Sequence, residues 1–133
     1  MSKGNEVVVP ASGETAEDIA RASAILKAGI MLGGDLNIIS PDDKLDASFL
    51  ALELTYGNSH RKLVKKAQGV SVVHLHNTDI SELEINVPSY NEQRKIGDFF
   101  RSQDEAIANS QLQINKLKTI KQACLSQMFA WTK

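Results

Sequence analysis

Glu84-Ile85-Asn86-Val87-Pro88, running through Ser89-Tyr90 into Asn91-Glu92-Gln93-Arg94-Lys95-Ile96, is the stretch on which the fold turns. Its first half reads as a strand ended by proline, and its second half opens one long helix. From Ile96 the inward positions step by four and three: Ile96, Phe100, Gln103, Ile107, Ser110, Ile114, Leu117, Lys121, Cys124, Met128. Seven of these ten are apolar or Cys, and three polar residues are spread among them. A repeat of 3.5 residues presents a narrow stripe that packs on another helix. Ile96, Phe100, Ile107, Ile114, Leu117, Cys124 and Met128 are therefore expected to form a partner-helix interface. Gln103, Ser110 and Lys121 weaken such a seam but fix register and partner choice. Gly97, which costs about 1 kcal/mol relative to Ala in a helix, predicts a bend or unwinding in the first turns.

The rest of the 133 residues reads as a small domain ahead of this arm. A hydrophobic content of 42% supplies a core. Residues 1–90 carry 8 Lys/Arg against 12 Asp/Glu, and residues 91–133 carry 7 against 4. With a net charge of −1 there is no global basic field, so any nucleic-acid contact must be local. The single cysteine, Cys124, excludes an internal disulfide and suits a reducing compartment. No run approaches the roughly 18 apolar residues of a membrane span, and no apolar signal core follows Met1. These features predict a cytoplasmic protein with no membrane partner.

Along the domain, Val7-Val8-Val9-Pro10 predicts a strand and Ala11-Ser12-Gly13 a turn. Thr15, followed by Glu17 and Asp18, predicts an N-cap and a helix to about Ala24. Gly29 and Gly33-Gly34-Asp35 break the chain around a short apolar stretch. Strands are expected at Leu36–Ser40, Val70–Leu75 and Glu84–Val87, and helices at Asp46–Tyr56 and Ser59–Ala67. Asn77-Thr78-Asp79 should cap a single helical turn. Strands and helices without strict alternation make an α+β domain over residues 1–90, followed by a coiled-coil-type arm over residues 91–133. As unbroken helix, Glu92 to Phe129 would span about 57 Å.

Two groups of side chains are candidates for contacting DNA. Arg61, Lys62, Lys65 and Lys66 fall on one face of a predicted helix and could neutralise phosphates; an ordinary solvated face is an equal alternative. Ser71, His74, His76 and Asn77 surround a strand end and its loop, where polar side chains reach base edges or phosphates. Plain surface is the alternative there. Alternation puts His74 and His76 on one strand face, but no third metal ligand accompanies them. Pro41-Asp42-Asp43-Lys44 imitates a nuclease pattern in one continuous tetrapeptide, where metal-dependent cleavage needs carboxylates from separate strands. No cofactor-binding loop, nucleophile–base pair or methyltransferase motif is present, so neither catalysis nor a cofactor is expected.

Three segments together resemble the specificity subunits of type I restriction–modification systems. They are Ser12-Gly13-Glu14-Thr15-Ala16-Glu17-Asp18-Ile19 with Gly33-Gly34-Asp35-Leu36; Ala67 to Leu75 with Asp79-Ile80 and Ile85-Asn86-Val87-Pro88; and Glu92-Gln93-Arg94-Lys95-Ile96 with its helix to Leu125-Ser126-Gln127-Met128-Phe129. The resemblance implies a target recognition domain that reads double-stranded DNA and a helical spacer that docks methyltransferase subunits. The restriction subunit completes the complex. S-adenosylmethionine and ATP chemistry would belong to those partners. A full subunit holds two recognition domains and two helices, whereas this chain matches the C-terminal part of one domain and one helix. It is thus expected to be a fragment, a truncated product or a half-subunit that forms a homodimer through the helix. The alternative is a self-associating coiled-coil module that regulates or competes with a full subunit.

Overall fold

The structure, a computed structural model, describes residues 1–67 and 72–130. Two compact units are present, Met1–Gly97 and Asp98–Lys133. The first is α+β, and a long helix, α5 (Tyr90–Met128), begins in it. At 39 residues that helix is about 58 Å long.

The first unit is organised by β1 (Glu6–Pro10), the middle strand of an antiparallel sheet with β3 (Ser23–Ile25) and β4 (Leu36–Ile39) on either side. Val7 faces Ala24 and Ile39 across the ladders, and Val7 and Val9 are fully buried. Against them packs α2 (Ala47–Tyr56), and α3 (Asn58–Lys66) packs on α2 with its Leu63 in the same core. In α2, Ala47, Leu50, Ala51 and Leu54 recur at helical spacing and are all buried. Asp46 caps α2, accepting from the Phe49 N–H at 2.9 Å. A second small sheet joins β2 (Ser12–Gly13) to β5 (Val73–His74). Two short helices, α1 (Ala16–Ile19) and α4 (Asn77–Ser81), complete the unit.

Two expected elements differ. The helix from Thr15 ends at Ile19 rather than near Ala24, and Ser23–Ile25 is a strand. Thr15 caps α1 as expected, accepting from the Asp18 N–H at 3.1 Å. Beyond it, the Thr55 hydroxyl takes both the Ala22 N–H (2.9 Å) and the Ala22 carbonyl (3.2 Å). Those groups are lost to a helix, and β1 captures the next three residues. Residues 84–87 form no strand. Leu83 and Ile85 pack inward while Glu84 and Asn86 face out, so the alternation is real. No strand among the described residues pairs with the segment, and the Glu84 carbonyl accepts from Lys62 Nζ instead, at 2.9 Å. The strand expected at Val70–Leu75 is seen as Val73–His74; its first two residues lie outside the described residues.

Gly57 lies between α2 and α3, its N–H bonded to the Glu53 carbonyl at 2.9 Å. The Glu53 carboxylate folds past it and accepts from the N–H and hydroxyl of buried Ser59, at 3.3 and 2.9 Å. A Cβ on Gly57 would stand 2.7 Å from the Glu53 carbonyl oxygen and collide with its carboxylate. Gly57→Ala is therefore expected to cost about 1–3 kcal/mol, as overpacking does, read by urea unfolding.

The unwinding expected at Gly97 is not found, since α5 is continuous helix through it. Gly97 is buried, and a Cβ there would lie 3.0 Å from Ser48 Cβ. Its value is close approach to the start of α2 rather than flexibility.

Candidate nucleic-acid interface

The edge that carries His74 and His76 is fixed by hydrogen bonds on both sides of it. Leu75, fully buried between them, donates its N–H to the Ala11 carbonyl at 2.9 Å. Its own carbonyl accepts from Asn37 Nδ2 at 2.8 Å, and Asn37 is itself buried on β4. With Leu75 inward, His74 and His76 both face solvent, their rings parallel within 6° and 6.4 Å apart. Asn77 follows as the exposed first residue of α4. The Asp79 carboxylate reaches back to the His76 N–H at 2.9 Å and holds that helix start. Hydrogen-bonded backbone therefore presents His74, His76 and Asn77 to solvent. Ser71, the fourth candidate of this group, lies outside the described residues. Among the described residues no three His, Cys, Asp or Glu side chains form a cluster suited to a metal ion.

The four cations of α3 are less uniform than their spacing implies. Leu63 anchors the inner face of the helix, fully buried, and the cations lie around the outside. Lys62 Nζ is bonded to the Glu84 carbonyl, and Lys66 Nζ pairs with Glu82 at 2.7 Å. The hydrogen bond to Glu82 holds the Lys66 ammonium above its ordinary value; desolvation opposes this, and the Glu82 and Asp79 charges add to it. Two of the four charges are thus spent within the domain, pinning α3 to the segment after α4. Arg61 and Lys65 are exposed and are the pair best able to meet phosphates.

Pro41-Asp42-Asp43-Lys44 is a turn, with Asp42 Oδ1 accepting from the Lys44 N–H at 3.0 Å. That carboxylate closes its own turn.

Gln93 is a residue whose role the sequence did not reveal. Its side chain is buried, and its Oε1 accepts from the Asp46 N–H at 2.9 Å. Its Nε2 donates to the Lys44 carbonyl at 3.0 Å and the Pro88 carbonyl at 2.9 Å. One amide therefore ties the first turn of α5 to the start of α2 and to Pro88, two residues ahead of the helix. Its place in Glu92-Gln93-Arg94-Lys95-Ile96 was the available signal.

From Asp98 to Ala130 every residue of the second unit's described part is exposed. Phe100, Ile107, Ile114, Leu117, Cys124 and Met128 of the expected seam are all among them, while Ile96 is half-buried in the first unit. Phe99 and Phe100 meet edge to face, with centroids 5.2 Å apart.

A comparison with protein families matches residues 17–119 to the type I restriction modification DNA specificity domain. The chain belongs to this family. The match runs from α1 through the domain and into α5, so it includes the α3 cations, the β5 edge and Gln93. No match was found among curated proteins. As a specificity domain of a restriction–modification system, the chain has a role in DNA recognition. No helix among the described residues is long and apolar enough to cross a membrane.

Proposed function

We propose that the chain is a non-catalytic DNA sequence-recognition component of a type I restriction–modification complex in the cytoplasm. Residues 1–90 act as part of a target recognition domain, and residues 91–133 dock methyltransferase subunits or a second specificity half. Family membership over residues 17–119 carries this reading. The hydrogen-bonded β5 edge supports it, because base contacts need side chains held in register and phosphate contacts only need charge. His74, His76 and Asn77 would read or approach bases; Arg61 and Lys65 would position the domain on phosphates, with Lys62 and Lys66 contributing less. Chemistry resides in the partners, the methyltransferase and restriction subunits.

Co-purification with the cognate methyltransferase subunit, followed by duplex binding at several salt concentrations, tests the assignment. A stable complex that prefers one sequence is expected. Arg61→Ala and Lys65→Ala should each weaken binding for all sequences and reduce the salt slope by about 0.9. Lys66→Ala should change that slope less, because its ammonium is already paired. The exposed stripe on α5 favours one second reading, a self-associating module that competes with a full specificity subunit. That reading requires a tight dimer indifferent to both DNA and methyltransferase.

A further inference from the structure

Asp35, the last residue before β4, is tied to β2 by two hydrogen bonds. Its carbonyl accepts from the Ala11 N–H at 3.1 Å, and its carboxylate accepts from the Ser12 hydroxyl. In the β2–β5 ladder Ser12 pairs with His74, and Gly13 with Val73. Directly paired residues point to the same face of a sheet. Val73 is buried, and a Cβ on Gly13 would collide with the Ile19 side chain, so that pair faces the core. Ser12 and His74 therefore share the outer face, and the hydroxyl holds the Asp35 carboxylate beside it. Carboxylate, hydroxyl and imidazole stand in a row across three adjacent segments, and the exposed ring of His76 is stacked next to that of His74.

An exposed acid on a surface that meets DNA is repelled by phosphates, so it contributes only where a base donates to it. The Ser12 hydroxyl takes one oxygen of Asp35, and among the described residues nothing donates to the other. Gly33 and Gly34, just ahead of it, put no side chain between the carboxylate and a groove edge, and a Cβ on either would meet open space. An ionised carboxylate only accepts. In the major groove guanine and thymine oppose it with acceptors, and adenine sets the N7 lone pair next to its amino group. Cytosine N4 has no such neighbour, and in the minor groove guanine N2 is the one amino group. Both belong to a G·C pair.

We propose that Asp35 is a specificity-determining residue, selecting a G·C pair by accepting from its amino group, cytosine N4 or guanine N2. This rests on the β5 edge reading DNA, and it adds a base identity to that reading. Ser12 is the positioning residue, since its hydroxyl turns the carboxylate toward the face that carries His74.

The sequence preferred by the full chain in complex with its cognate methyltransferase subunit, compared between wild type and Asp35→Asn, tests this. Asparagine keeps the size and the acceptor for Ser12, and its amide adds the donor that adenine requires. One G·C position should lose its preference by roughly tenfold in favour of A·T, with all other positions unchanged. Asp35→Ala should lose the same preference without gaining A·T. Duplexes with A·T at that position should bind Asp35→Asn more tightly than wild type, because a charge opposing phosphates is gone. Inosine in place of the guanine removes N2 alone, so affinity lost by the wild type assigns guanine N2 and affinity kept assigns cytosine N4. Urea unfolding checks that both variants are folded. Folded variants with an unchanged preference, a change confined to an A·T position, or equal weakening on every sequence would overturn the proposal and leave the specificity reading intact. A wild-type complex that prefers no sequence would overturn both.

Discussion

Gln93→Leu is expected to lower the unfolding free energy of the Met1–Gly97 unit by about 2–4 kcal/mol. Leucine fills nearly the same volume, so the loss comes from hydrogen bonds rather than from a cavity. Three backbone groups lose their partner at once: the Asp46 N–H and the carbonyls of Lys44 and Pro88. Each of these partly buried hydrogen bonds contributes about 0.5–1.5 kcal/mol. Gln93→Glu keeps the acceptor for Asp46 but turns a second oxygen toward two carbonyls, and it should lose most of the same stability at neutral pH. Urea unfolding monitored by circular dichroism measures both. A change under about 1 kcal/mol in Gln93→Leu would mean that the side chain does not clasp the helix start.

Leu117→Asp should abolish assembly through α5, weakening it by at least about a hundredfold, because the carboxylate must be desolvated against an apolar partner. Ile107→Asp should behave alike. Asn109→Asp, on the opposite side of the helix, serves as a control for added negative charge and should leave assembly within a factor of a few. The unfolding of the first unit should be unchanged in all three, since none of these residues belongs to it. Retained wild-type assembly in Leu117→Asp would show that the stripe is not the docking surface.

Much of this fold was legible from local signals. The valine run of β1, the Asp46 cap of α2, the Gly57 break and the heptads of α5 each carry a physical cue within a few residues, and the elements follow them closely. Where the reading erred, a distant group decided. Thr55, 33 residues from Ala22, ends the possibility of a longer helix after Thr15. The segment at residues 84–87 has the alternation of a strand without a neighbour to pair with among the described residues. Gly97 reads as a weakness by helix propensity alone, and only the proximity of Ser48 shows what it is for. For the candidate interface, spacing correctly gathered four cations on α3. That two of them are engaged by Glu82 and the Glu84 carbonyl could not be read from their spacing, because those partners lie 16 and 22 residues away.

Selection from a pool of randomised duplexes, using the full chain bound to its cognate methyltransferase subunit, tests the central claim most directly. The methyltransferase alone serves as the reference. Enrichment of one defined sequence is expected with the chain present, lost or altered when His74, His76 and Asn77 are replaced together by alanine. A pool left as random with the chain as without it would contradict the assignment of sequence recognition to this protein.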